Sequence, residues 1–140
     1  MASIRKETVV DIPAGKAWDA LRDVGEVHRR VAPGFVRECR MDGDARVITF
    51  GNGLVARELI VDVDDKARRL AYSARSERLK HHNASFQVFD EEKGQDGRER
   101  CRVVWIADVL PAEAAKAVGA MMEEGAAVMR KTLESHSRAA

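Results

Sequence analysis

Four histidines, one tyrosine and two cysteines hold most of this chain's capacity for proton transfer, nucleophilic attack or metal ligation. His81 and His82 are adjacent. Neighbouring side chains on a strand point to opposite faces, so the two cannot grip one ion together. His28 and His136 are remote in sequence, and no Cys-x-x-Cys or His-x-x-x-Glu spacing occurs. No metal and no cofactor is therefore expected. A histidine that reaches an interior cavity is a candidate general base, because its pKa lies near neutrality. His82 is the one placed to do so, with His81 solvated on the other face. The bland alternative is that His82 is a passive part of the wall, since no neighbouring residue marks a partner that would orient its ring.

Glu58 is the candidate carboxyl. Burial would raise its pKa and suit it to acid–base work. Alternation puts Arg57, Leu59, Val61 and Val63 on one face and Glu58, Ile60 and Asp62 on the other. The first set is the more apolar, which predicts Arg57 inward and Glu58 outward in a solvated charge pair. A bulge near the preceding hairpin would reverse this. Neither Cys39 nor Cys101 has a catalytic context, and both are expected to be free thiols. There is no G-x-S-x-G elbow and no glycine-rich phosphate loop. Arg68-Arg69 and the run from Arg98 to Arg102 are charge-mixed and read as solvated. Met121, Met122 and Met129 sit in a helical pattern. They read either as plain core or as an adaptable surface for apolar ligands, a role that suits methionine's flexibility.

The elements that must position these groups follow from the apolar period. Ile4 to Ile12 reads as a strand with Ile4, Thr8, Val10 and Ile12 on one face. After Pro13, a short helix runs from Ala14 to Leu21, and a second from Val24 to Val31, broken by Pro33-Gly34. Six strands are predicted next, at Val36–Met41, Arg46–Phe50, Leu54–Val63, Arg69–Arg75, Asn83–Phe89 and Arg102–Val109. Gly51-Asn52-Gly53 is read as a hairpin through its Asn-Gly pair. Pro111 opens one long helix, Ala112 to about Ser135, with Ala115, Val118, Met122, Gly125, Met129 and Leu133 on one face. Gly119 and Gly125 leave room beneath the sheet, though each costs about 1 kcal/mol relative to alanine.

The expected fold is α+β: a seven-stranded curved antiparallel sheet wrapped round a long C-terminal helix, with two short helices after the first strand. Residues 1–140 form one domain. The first strand is expected between the second and the seventh, which carry the cysteines. That keeps the thiols about 9.6 Å apart, beyond the roughly 7 Å limit for a disulfide. Lys plus Arg is 24 and Asp plus Glu 23, a balance that argues against nucleic acid as a partner. No apolar run is long enough for a transmembrane segment. The charged N-terminus is not signal-like, so a cytoplasmic location is expected. Oligomeric state stays open between monomer and homodimer.

This element order, with the residues at its joints, resembles the START-like, or SRPBCC, superfamily. That group includes the birch-pollen-allergen helix-grip fold and the polyketide cyclase/dehydrase and lipid-transport proteins. The resemblance rests on Ile12-Pro13-Ala14 through Trp18-Asp19-Ala20-Leu21-Arg22-Asp23, on Ala32-Pro33-Gly34, and on Arg57-Glu58-Leu59. It rests also on Asp64-Asp65-Lys66-Ala67-Arg68-Arg69-Leu70-Ala71-Tyr72 and on Val104-Trp105. His82 stands where the family often has an aromatic, which puts a more polar group in the wall. The resemblance implies a cavity between sheet and helix that binds a small hydrophobic or amphipathic ligand, lipid- or polyketide-like. The candidate lining is Phe35, Tyr72, His82, Phe86, Trp105, Val118, Met122 and Met129, with Arg57 or Glu58 near the mouth. The alternative is a cyclase or dehydrase acting on a polyketide-like substrate, with His82, Tyr72 and Glu58 supplying proton transfer. A third class is a protein-interaction module.

Overall fold

The computed structural model describes residues 2–139. Seven antiparallel strands form one curved sheet: β1 (Ala2–Val10), β2 (Val36–Asp42), β3 (Ala45–Phe50), β4 (Val55–Asp64), β5 (Arg69–Arg75), β6 (His81–Glu91) and β7 (Arg100–Leu110). Between β1 and β2 lie α1 (Ala14–Leu21), a 3-10 turn (Val24–Glu26) and α2 (Val27–Arg30). A second 3-10 turn (Ala112–Ala114) leads into α3 (Ala115–Ala139), the helix that the sheet wraps. This is the helix-grip architecture expected from the order of periods.

The strand order is β1-β7-β6-β5-β4-β3-β2. The first strand therefore does not lie between the second and the seventh, as the sequence reading had it. β1 and β2 are the two edges, because β1 pairs with the last strand and every later strand pairs with its sequence neighbour. Cys39, on edge strand β2, and Cys101, on β7, are both free.

The β3–β4 turn shows why glycine is needed there. Gly53 has φ +89°, a left-handed value that a Cβ disfavours. Asn52 contributes through its side chain, which accepts the Leu54 N–H at 3.0 Å. A Cβ on Gly51 would lie 2.3 Å from the Gly34 carbonyl oxygen, so that position holds the hairpin against the segment entering β2.

Trp18 and Arg22 at the end of α1 both bond to Asp65 in the β4–β5 turn, at 2.9 and 2.7 Å. The Trp18 bond joins two sequence segments that are 47 positions apart. The short helix α1 packs on β6 and β7, where Val10, Trp18, Leu21, Leu70, Val88 and Val103 form a dense core. α3 lies along β1 and buries Met122, Ala126, Met129 and Leu133, one stripe at four- and three-residue spacing. Of its glycines, Gly119 faces Ile4 of β1, while a Cβ on Gly125 would touch the rings of Phe35 and Trp105. The space left by Gly125 is thus filled by aromatic rings. Among the described residues no helix is long and apolar enough to cross a membrane.

Candidate functional site

The packed core fills the α1 end of the molecule. The other end holds a cavity of about 1100 Å³ between the sheet and α3. No residue of α1 lines it. Phe35, Tyr72, His82, Phe86, Trp105, Val118, Met122 and Met129 all do. Strand pairing explains how the strand residues meet. Phe86 is opposite Trp105, and Tyr72 is opposite Ala84, which is opposite Ala107. The alanines leave room into which the larger neighbours lean. The rings form a row: Phe86 and Trp105 at 4.5 Å, Tyr72 and Phe86 at 6.1 Å, Tyr72 and His82 at 5.7 Å between centroids. Phe35 meets Phe50 edge-on at 5.5 Å and closes the side beneath α3.

Arg57 and Glu58 occupy faces opposite to those predicted. Glu58 is 7% exposed and lines the cavity. Arg57 borders the cavity too, but its side chain is solvent-exposed and pairs with Asp42. The apolar residues that suggested otherwise, Leu59 and Val61, are 44% and 60% exposed on the outer face. The register slips between Ile60 and Asp62. The bulge therefore lies beyond Glu58, at Val61, and it breaks the alternation that grouped Val63 with Arg57.

The reason for Glu58's burial is a residue that sequence reading missed. Arg46 is 3% exposed. Its Nε donates to Glu58 Oε1 at 2.8 Å, and its Nη1 donates to the Val24 carbonyl at 3.1 Å. The guanidinium sits 5.4 Å over the Tyr72 ring. A buried charge persists only when paired and hydrogen-bonded, and each member supplies what the other needs. Counting back from the Gly51-Asn52-Gly53 turn places Arg46 directly opposite Glu58. That register was the available signal.

Tyr72 accepts the Trp105 indole N–H at 2.9 Å. Burial, and then the nearby Glu58 carboxylate, push its pKa far above the ordinary phenol value. It stays a phenol with its own proton free to donate. His82 is 8% exposed, and its Nδ1 accepts the backbone N–H of Ala74 at 3.0 Å. An orienting partner therefore exists, and it is main chain. Burial, the largest influence, lowers the His82 pKa below its ordinary value. The resulting neutral ring carries its proton on Nε2. His81, one residue earlier, is exposed and bonds to Asn83 at 2.6 Å. Glu58, Tyr72 and His82, the three groups considered for proton transfer, thus share one stretch of cavity wall.

The comparisons with known proteins agree with the fold. No curated protein matches the chain. It is similar in structure to the protein XoxI from Bacillus cereus, with TM-score 0.76 and 16% identity over 97% of this chain and 95% of that one. A protein from Thermobifida fusca has TM-score 0.72 and 27% identity, covering 96% of this chain and 91% of the other. A point mutant of norcoclaurine synthase from Thalictrum flavum, solved with a transition-state analogue, has TM-score 0.67 and 17% identity over 97% and 96%. The sequence profile described as polyketide cyclase / dehydrase and lipid transport matches residues 1–134. With that match over nearly its whole length, the chain belongs to the polyketide cyclase/dehydrase and lipid-transport family.

Proposed function

We propose that this protein binds one small hydrophobic or amphipathic molecule, lipid- or polyketide-like, in the cavity between the sheet and α3. The observation that carries this reading is the cavity itself. Its volume of about 1100 Å³ is slightly above the roughly 300–1,000 Å³ that small-molecule sites usually occupy. Its wall is mainly aromatic, aliphatic and methionine side chains, with the Arg46–Glu58 pair, Tyr72 and His82 as one polar group and Arg57, the Arg75–Arg78 segment and Glu113 as further polar lining. That combination lets apolar contacts supply affinity while a few polar groups fix orientation. Native mass spectrometry of freshly purified protein tests the reading, backed by titration with an apolar probe. A co-purified small molecule, or saturation at one site per chain, is the expected result. An empty protein that takes up no apolar probe would refute it.

A second reading is a cyclase or dehydrase using the same cavity. The meeting of Glu58, Tyr72 and His82 on one wall favours it, since they supply a carboxylate and two neutral donors. Turnover on a panel of polyketide-like substrates, with a rate that depends on pH through ionising groups in the cavity, is the expected sign. Saturable binding with no turnover across the panel would leave binding alone.

A further inference from the structure

The inward-facing residues run in rows across the strands. One row is Arg46 on β3, Glu58 on β4, Ala74 on β5 and His82 on β6. Glu58 is directly opposite both Arg46 and Ala74, and the Ala74 N–H donates to His82 Nδ1. Glu58 and His82 thus flank Ala74, one paired across from it on β4 and the other hydrogen-bonded to its N–H from β6. Glu58 Oε1 is taken by Arg46, which leaves Oε2 as an acceptor. His82 Nδ1 is taken by Ala74, which leaves Nε2–H as a donor. The fully buried side-chain atoms without a partner among the described residues are His28 Nδ1 and Arg102 Nε. The two open atoms of Glu58 and His82 are therefore not sealed off. All three of Glu58, Ala74 and His82 line the cavity.

We infer that this slot over Ala74 selects an uncharged apolar ligand bearing a hydroxyl group. The hydroxyl oxygen accepts from His82 Nε2–H, and its proton is donated to Glu58 Oε2. A hydroxyl is the smallest group that can do both. A ligand carboxylate offers no proton to Glu58 and brings a second negative charge beside it. A plain hydrocarbon leaves both protein groups unsatisfied once it excludes water. The inference rests on the ligand-binding reading above and narrows it to a chemical class.

Equilibrium dialysis with naphthalene, 2-naphthol and 2-naphthoate at neutral pH tests it. Wild-type protein is expected to hold 2-naphthol about tenfold or more tightly than naphthalene, the worth of a hydrogen bond to a charged group. 2-Naphthoate is expected to be the weaker of the two polar probes. Ala74→Val fills the slot and should bring the naphthol-to-naphthalene ratio to about one. Glu58→Gln removes the charge and should raise naphthoate relative to naphthol. If the loss of Arg46's partner unfolds that variant, Ala74→Val carries the test. Equal affinity for naphthol and naphthalene, naphthoate binding as tight as naphthol, or an Ala74→Val protein that keeps its preference would overturn the inference alone. Failure of all three probes to bind would overturn the cavity reading and this inference with it.

Discussion

His82 draws its orientation from a backbone N–H, a partner that carries no residue type and so leaves no trace in a sequence. This changes what a substitution at that position does. His82→Phe would put an aromatic ring in the wall, but it would leave the Ala74 N–H without an acceptor. A loss of about 1–3 kcal/mol is expected, read by denaturant unfolding. The same experiment has a pH signature. Burial holds the folded His82 pKa below its ordinary 6.5, so the unfolded chain binds more protons than the folded one as the pH drops. The stabilisation is complete above about pH 6.5 and is lost as the pH falls towards the depressed folded value. The His82→Phe variant should lose less stability than wild type between pH 7 and pH 5. An identical slope in both would show that His82 does not titrate as its burial requires. The Arg46–Glu58 pair makes a second residue-level case. Arg46→Met strands a buried carboxylate and should cost about 3–5 kcal/mol, while Arg46→Met with Glu58→Leu should recover most of it. If the double variant is no more stable than the single one, the pair is not the unit described here.

At the scale of elements, the sheet's order decides the thiols. β2 is an edge strand and β7 is next to the opposite edge, so Cys39 and Cys101 sit near opposite ends of the hydrogen-bonded ladder. The expectation of free thiols holds, although the strand order used to reach it does not. Burial raises the pKa of both, and Cys101 is pushed up to about 11. Little reactive thiolate is present at neutral pH. Ellman's reagent should therefore react slowly with the native protein and should find two thiols per chain in denaturant. Rapid native labelling at Cys101 would contradict its burial. Elements also show where alternation succeeds and where it fails. β6 is read well: His81 is out, His82 is in, and Phe86 and Val88 follow on the inner face. β4 is misread because its outer face carries exposed apolar residues and a bulge interrupts its period.

For the whole molecule, the question is whether the space beneath the sheet is empty enough to accept new volume. Met122 is buried at the centre of α3's inner stripe and borders the cavity. Met122→Trp should place the indole in that space, abolish binding of an apolar probe and leave stability within about 1 kcal/mol of wild type, below the usual cost of overpacking a filled core. Calorimetric melting and probe titration on one variant check this; a greatly lowered melting temperature with probe binding intact would mean the cavity lies elsewhere. The sequence alone determined the number and order of the strands and main helices, and the long helix with its inner stripe. Those properties follow from local period, turn chemistry and capping, which act over a few residues at a time. Only the tertiary structure decided that Glu58 faces inward, that Arg46 holds it, that Ala74 orients His82, and that β1 and β2 are the sheet's edges. Each of these depends on which strands pair and in what register. Register is a relation between distant segments, and a single inserted residue reverses which side chains face the interior.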